Sequence, residues 1–512
     1  MVINAIVVPI IIPLLTGLIF SIIQKPSILR RWLFVLSAIT QLFFTITLLV
    51  KAHQHRVLLL PMGGWEAPFG ITLTIDILSA SLLVVTSIIS LCCIIYSFSN
   101  ELDQEHPLKL PLIQFMIAGV CLSFSTGDLF NLFVAFEIML MASYALLVLE
   151  LDKSNLKHAF PYLSLNIFGS TLFLCAGGLV YGLFGTLNFA QIAESVITYA
   201  SDPRLLIIIL LLLFVYGLKA GFFPLFYWLP NSYPSLPVGL GALFAGLLTK
   251  VGIYTILRIF SIFITPSLTL PFTIILVLSI PTMIVGITLA IKHRSIQSIL
   301  SFNLISHIGF MMLGIGLSSS VSISGTIFYM LHHMIVISSL FLIAGRMIQI
   351  TGTNDISKMG NLWKQSPGLG VLFLLQAFSL IGIPPFSGFW GKLMIILSGV
   401  NVMQLIPTFS LIIASILTLL SMIIIWFSAF YKTDSTIKLN LAPNKPTMTA
   451  ISILVFVSVS MGLGANIMTR TSFLASDQLF DSAGYVESVF SFKNLKTGYK
   501  TNSTDPYDRE AH

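Results

Sequence analysis

The chain has 512 residues, of which 56% are hydrophobic and only 9% charged, and its formal net charge is +7. An ordinary soluble domain carries about 25% charged residues. A soluble enzyme or a nucleic-acid-binding module is therefore excluded, and a polytopic membrane protein in contact with a lipid bilayer is implied, its excess positive charge belonging to loops.

The start, Met-Val-Ile-Asn-Ala-Ile-Val-Val-Pro, lacks a basic n-region and an A-x-A site, so it reads as a retained first helix rather than a cleaved signal. A spanning helix needs about 20 apolar residues. On that basis about fourteen spans are predicted, near 4–23, 32–50, 77–98, 110–126, 129–149, 159–184, 204–223, 237–260, 270–291, 296–317, 322–350, 369–398, 407–431 and 447–468. The fold class is thus an all-α polytopic membrane protein. Between the second and third spans, Leu58 to Thr74 has Gly and Pro punctuation and short apolar runs, which predicts an extended hairpin at the membrane edge. Asn188 to Ala200 predicts a short amphipathic interfacial helix. The four cysteines, Cys92, Cys93, Cys121 and Cys175, lie in apolar runs without metal-ligand spacing and read as small core residues. The tail from Arg470 is polar and is expected to be disordered past about Ser491.

Lys and Arg in the loops set the orientation. Alternate loops beginning with the first hold 14 of them, whereas the opposite set holds 4, namely Lys51, Arg56, Arg204 and Arg258. The first loop is then cytoplasmic, and an even span count places both termini outside. With 5 more in the tail, only Lys219, Lys250 and Lys392 are left for the membrane interior.

A lysine at mid-membrane costs about 2.5–3.5 kcal/mol on insertion scales, so such residues line a water path or meet a partner. Lys219 stands five residues before Pro224, which cannot donate to the carbonyl of Ala220. Lys250 follows in the next span, with Thr249 and Gly252 leaving room for water. Both sit too deep to snorkel to an interface. Among the acids, Glu137 is the one predicted near the middle of a span, where it needs a cationic partner; an ion pair with Lys219 is the natural expectation, and a contact to another helix the alternative. Asp76 and Asp128 fall near span ends and are expected to be solvated.

The second half repeats the theme. Span ten carries His307 and span eleven His332 and His333, residues that suit a proton relay or, alternatively, hydrogen-bond as core residues. In span twelve Pro384 and Pro385 free the carbonyls of Leu380 and Ile381 ahead of Lys392. Glu137 and Lys219 are 82 residues apart, and His307 and Lys392 are 85 apart. A break and a buried lysine in each of two five-span units is what an inverted repeat produces. The domain reading is 1–109 for helices 1–3, 110–260 for a first five-helix repeat (helices 4–8), 261–431 for a second, inverted repeat (helices 9–13), and 432–512 for helix 14 and the polar tail.

Four stretches in order carry a resemblance: Thr126-Gly-Asp-Leu-Phe-Asn-Leu-Phe-Val-Ala-Phe-Glu137, Lys219-Ala-Gly-Phe-Phe-Pro-Leu-Phe-Tyr-Trp-Leu-Pro230, Leu248-Thr-Lys250-Val-Gly and Pro384-Pro-Phe-Ser-Gly-Phe-Trp-Gly-Lys392. Over about residues 1–470 the chain resembles the antiporter-like subunits shared by respiratory complex I and Mrp antiporters. Within them it is similar to the D-subunit family of bacterial Mrp (Mnh) multi-subunit Na+/H+ antiporters. Asn231-Ser-Tyr-Pro, where complex I relatives carry Asp-Ala-His, favours the Mrp branch, as does Lys392. The resemblance implies a fourteen-helix fold with discontinuous helices 7 and 12. It implies a proton path through Glu137, Lys219, Lys250, His307 or His333, and Lys392, and partner subunits of the A, B, C, E, F and G types in a bacterial cell membrane.

No nucleotide loop, haem ligand set or Fe–S cysteine pattern is present, so no cofactor is expected and the energy source is an ion gradient. The expected function is that of a secondary-transporter subunit, not an enzyme, conducting protons for sodium efflux and pH homeostasis. The alternatives are a proton-pumping subunit of complex I or a membrane-bound hydrogenase and, from another class, a structural scaffold whose buried charges dock partner subunits.

Overall fold

The computed structural model describes residues 3–25, 27–65, 70–98, 106–150, 157–263, 269–433 and 444–497. Among them, eleven helices are long and apolar enough to cross a membrane, so the chain is a multi-pass membrane protein. Helices α1 (Val8–Ile22) and α2 (Ile28–His55) lead to a two-stranded antiparallel hairpin, β1 (Leu58–Pro61) and β2 (Thr72–Ile75), with Leu58 opposite Ile75 and Pro61 opposite Thr72. The predicted hairpin is therefore present. Helix α3 (Ile77–Ser97) begins where the Asp76 carboxylate accepts from the Ser79 N–H at 2.8 Å, a cap for an otherwise orphaned donor. Then come α4 (Lys109–Ser125), α5 (Leu129–Glu150), α6 (Ala159–Phe184) and the short α7 (Phe189–Ser195). The last, capped by Asn188, is the core of the predicted interfacial helix.

Helix α8 (Pro203–Ala220) starts on Pro203 with Asp202 as its cap, the position where a missing N–H costs nothing. It stops at Gly221, whose φ of 76° is open to glycine. After Pro224 the chain passes through α9 (Trp228–Ser232) and α10 (Val238–Leu243), makes a π turn over Phe244–Leu248, and enters α11 (Thr249–Phe263). Helices α12 (Leu270–Lys292) and α13 (Ile296–Leu317) form an antiparallel pair. Helix α14 (Ser320–Thr351) has 32 residues, about 48 Å at 1.5 Å per residue. A capping box between Ser319 and Ser322 opens it and Gly352 closes it.

The short α15 (Leu362–Gln365) precedes α16 (Pro367–Ile381), which ends at Gly382 with φ 86°; the chain resumes as α17 (Ser387–Asn401) beyond Pro384 and Pro385. The bonds Phe223–Pro224 and Pro384–Pro385 are both cis. Helices α18 (Leu405–Ile425), α19 (Lys445–Leu463), α20 (Ala465–Phe480) and α21 (Ser482–Thr497) complete the chain. The helical backbone of α21 runs through Thr497, so the expected disorder past Ser491 does not begin there; residues 498–512 lie outside the described residues.

The core lies around α14, which is buried along its membrane-spanning length by α10, α13, α16, α17, α19 and α20. By contrast α2, α6 and α18 expose Phe43, Phe168 and Ile416 on their outer sides, as helices facing lipid do. Glycines set the closest crossings. A Cβ at Gly252 of α11 would lie 2.5 Å from the Ala220 nitrogen, so only glycine lets α11 meet the end of α8.

Several residues differ from their sequence-based placement, among them Arg30, Arg31, Lys109 and Arg346, counted with the loops but buried on α2, α4 and α14. Arg258, counted with the loops, is buried on α11 and pairs with Asp76 at 2.6 Å. Asp76 and Asp128, expected to be solvated, are buried because each caps a helix start tucked under the hairpin end of the bundle. Cys175, expected in the core, is exposed on α6, whereas Cys92, Cys93 and Cys121 are buried.

Candidate functional site

The three interior lysines are all sequestered: Lys250 is 0% exposed, and Lys219 and Lys392 are 4% each. None reaches for the surface. Lys219 stands in the last turn of α8 and donates to the Asn166 carbonyl at 2.9 Å and the Ser170 hydroxyl at 3.0 Å, both on α6. Its ammonium also lies 6.0 Å from the Phe136 ring centroid, within the range of a cation–π contact. Glu137, on α5, is half-buried, and its Oε1 is buried without a hydrogen-bond partner among the described residues.

The expected Glu137–Lys219 ion pair is not closed: the ion pairs within 4.0 Å among the described residues do not include it. Helix α6 supplies nearer acceptors, the Asn166 backbone carbonyl and, one helical turn on, the Ser170 hydroxyl, which the sequence of that span does not single out. Glu137 still lies within electrostatic reach of Lys219. The break after α8 is closed by another missed group, the Trp228 indole, which donates to the Leu218 carbonyl at 2.9 Å.

Lys250 donates to the carbonyl of Ala245 at 2.6 Å. That carbonyl belongs to the π turn, a geometry that departs from the i→i+4 ladder and recurs at functional sites. Toward the second half, Lys250 lies within electrostatic reach of His333 and His307. The rings of those two histidines stack with centroids 5.0 Å apart. His307 Nδ1 is hydrogen-bonded to the Tyr329 hydroxyl, whereas His307 Nε2 and both nitrogens of His333 have no partner among the described residues.

Tyr329 precedes His333 by one turn of α14, so it is the residue the sequence could have offered as a bridge between histidines on two helices. Beyond it, the Lys392 ammonium lies 5.8 Å from the Tyr329 ring centroid and 4.8 Å from that of Phe310. Lys392 donates to the carbonyls of Leu380 and Ile381 at 3.1 and 2.8 Å. These are the two acceptors that Pro384 and Pro385 were expected to free.

The structure therefore brings His333, His307, Tyr329 and Lys392 into one buried row, with Lys250 within electrostatic reach of both histidines. The His332 ring centroid lies 5.3 Å from that of Tyr329, and its Nδ1 meets the Ser387 hydroxyl at 2.7 Å. Glu137 and Lys219 form a separate group, joined to the row through the α8–α11 crossing at Gly252.

At the hairpin end, the Asp76–Arg258 pair is held further by hydrogen bonds from Arg258 to the Ser79 and Tyr254 hydroxyls. Asp128, outside the spans, has its carboxyl pushed above the usual range by burial, offset in part by N–H bonds from Asn131 and Phe130. Among the described residues no three His, Cys, Asp or Glu stand close enough to hold a metal ion.

The family model described as NADH:quinone oxidoreductase/Mrp antiporter, TM, matches residues 126–421. The D-type subunit of the Na(+)/H(+) antiporter of Alkalihalophilus pseudofirmus is 37% identical over 95% of this chain and 99% of the relative. Its namesake in Bacillus subtilis is 34% identical over 95% and 99%. Among solved structures, a chain of the Mrp complex from Dietzia sp. DQ12-45-1b matches with a TM-score of 0.86 at 28% identity, covering 95% of this chain and 99% of that one.

Proposed function

We propose, from the premise that this chain belongs to the NADH:quinone oxidoreductase/Mrp antiporter membrane family and is an antiporter membrane subunit, that protons cross it along the buried row Lys250, His333, His307, Tyr329 and Lys392. Glu137 and Lys219 act as the coupling pair. The observation that carries this reading is that each buried lysine is bonded to neutral oxygens, namely Ala245 O, Asn166 O with Ser170 Oγ, and Leu380 O with Ile381 O. An ammonium locked against a carboxylate cannot give up its proton without leaving a bare buried anion behind. One held by carbonyls and hydroxyls leaves only a neutral amine. The unpartnered imidazole nitrogens of His307 and His333 stand ready to receive what the lysines release.

In this mechanism the open Glu137–Lys219 pair is one of two states. When Lys219 swings from Asn166 toward Glu137, its charge is neutralised and the pull on the Lys250 proton changes. When it returns, the field reverses. Protons then step along the row and leave at one end, coupled to movement of sodium elsewhere in the assembly, since the relatives are named as Na(+)/H(+) antiporter subunits.

The same reading supplies the finer architecture. Three shorter apolar helices, Val8–Ile22, Lys109–Ser125 and Pro367–Ile381, would bring the eleven candidate spans to fourteen. The two breaks, each beside a buried lysine, fit inverted repeats over 110–260 and 261–431. Partners are further Mrp-type subunits, the location is the bacterial cytoplasmic membrane, and both termini face outside.

The test is antiport in vesicles carrying the whole complex. Glu137→Ala and Lys219→Ala are expected to abolish cation-driven proton movement while the assembled complex stays at its normal level. Loss of transport only in proportion to loss of assembly would instead mark a scaffold.

A further inference from the structure

His332 meets the main row through Tyr329, their ring centroids 5.3 Å apart, but its other side faces unusual surroundings. Its Nδ1 meets the Ser387 hydroxyl at 2.7 Å. Ser387 in turn meets the Ser458 hydroxyl at 3.4 Å, and Ser458 donates to the Ser379 hydroxyl at 3.2 Å. The chain passes through α14, α17, α19 and α16, and every member is buried. Most buried hydroxyls of this bundle do something else. Ser81, Ser123, Ser125 and Thr418 each turn back to the carbonyl four residues earlier in their own helix, the usual fate of a mid-helix hydroxyl. Ser379, Ser387 and Ser458 make no such bond and face one another across helices.

The last hydroxyl is not a dead end. Gln376 lies three residues before Ser379, on the same side of α16. It is 0% exposed, and both its amide oxygen and its amide nitrogen lack a partner among the described residues. A buried polar atom left unpaired costs about 1–3 kcal/mol, and ordered water is what commonly satisfies such groups.

We propose that His332, Ser387, Ser458 and Ser379 form a side branch of the proton row that ends on water held by the amide of Gln376. This rests on the proton-path reading above. In one passage a proton from the row arrives on the unpartnered His332 Nε2, the His332 Nδ1 proton moves to Ser387 Oγ, and the Ser387 hydroxyl proton moves to Ser458 Oγ, so that the imidazole ends neutral. The Ser458 proton moves to Ser379 Oγ, and the Ser379 proton moves to the water at Gln376. One proton leaves the imidazole, one arrives on the water, and each hydroxyl keeps its count. Rotation of the hydroxyls resets the chain.

These serines and Gln376 are positioning residues for proton movement, so the test must separate relay from packing. Antiport is measured in vesicles carrying the whole complex, with Ser458→Ala, Ser458→Thr and Gln376→Leu alongside Lys392→Ala. The branch predicts about a tenfold loss of maximal rate in Ser458→Ala and Gln376→Leu. Half-saturating cation concentration and assembled complex should stay unchanged, and Ser458→Thr should restore the rate. Full rate in Ser458→Ala and Gln376→Leu with transport lost in Lys392→Ala overturns the branch alone. Full rate in all three removes the row as well, and the branch with it. A loss that tracks assembled complex, or that threonine fails to rescue, assigns the serines to packing and also overturns the branch.

Discussion

Lys392 shows how a single side chain can be both structural and chemical. Its ammonium supplies the donors that Pro384 and Pro385 withhold from Leu380 and Ile381, so removing it leaves two buried carbonyls unpaired. At about 1–3 kcal/mol for each unpaired group, Lys392→Ala should lower the melting temperature of the purified complex and also reduce antiport. Lys392→Met, which preserves the bulk, should lower it about as much, because the lost interaction is hydrogen bonding rather than packing. The Asp76–Arg258 pair makes a different prediction. Breaking a buried pair by removing one partner costs about 3–5 kcal/mol, whereas replacing both with apolar residues is often neutral. Arg258→Met should therefore destabilise the protein strongly, and Asp76→Asn, which removes the charge but keeps the cap on Ser79, combined with Arg258→Met should recover part of the loss in a thermal melt. Equal melts for the single and double variants would contradict the pairing.

At the scale of elements, the account depends on two broken helices and one π turn holding lysines against exposed carbonyls. Replacing Pro384 and Pro385 with alanines lets α16 and α17 run on as one helix, returns the Leu380 and Ile381 carbonyls to backbone donors and frees Lys392 from them. Antiport should fall at least tenfold with assembly retained. The crossing of α8 and α11 is equally specific. Gly252→Ala would place a methyl 2.5 Å from the Ala220 nitrogen, and overpacking of this kind costs about 1–3 kcal/mol. Much of this was legible in the chain: prolines five residues after Lys219 and seven before Lys392 marked the breaks, and the freeing of the Leu380 and Ile381 carbonyls followed from covalent chemistry, whereas that Lys392 itself fills them did not. What was not legible depends on which helices become neighbours. Span spacing could not show that α6 presents Asn166 and Ser170 to Lys219, nor that Arg258 folds inward to meet Asp76. Tyr329 and Trp228 read as ordinary apolar-span aromatics until the fold gave each hydroxyl or indole N–H a partner.

For the whole molecule, the excess of Lys and Arg in alternate loops predicts one sidedness, and it can be read in intact cells. With native cysteines replaced, a cysteine at Trp65 beside the hairpin should react with an impermeant maleimide from outside, and one at Arg294 only after the membrane is opened. The reverse pattern would invert the topology, and moving Arg258 out of the loop count does not change the majority that sets it. The central claim is that hydrogen ions travel on buried ammonium and imidazole groups, and Lys250 is the most enclosed of the three lysines. The decisive measurement is cation-driven proton movement in vesicles whose complex carries Lys250→Ala and is assembled to the normal level. The account predicts that transport is abolished; undiminished transport would contradict it.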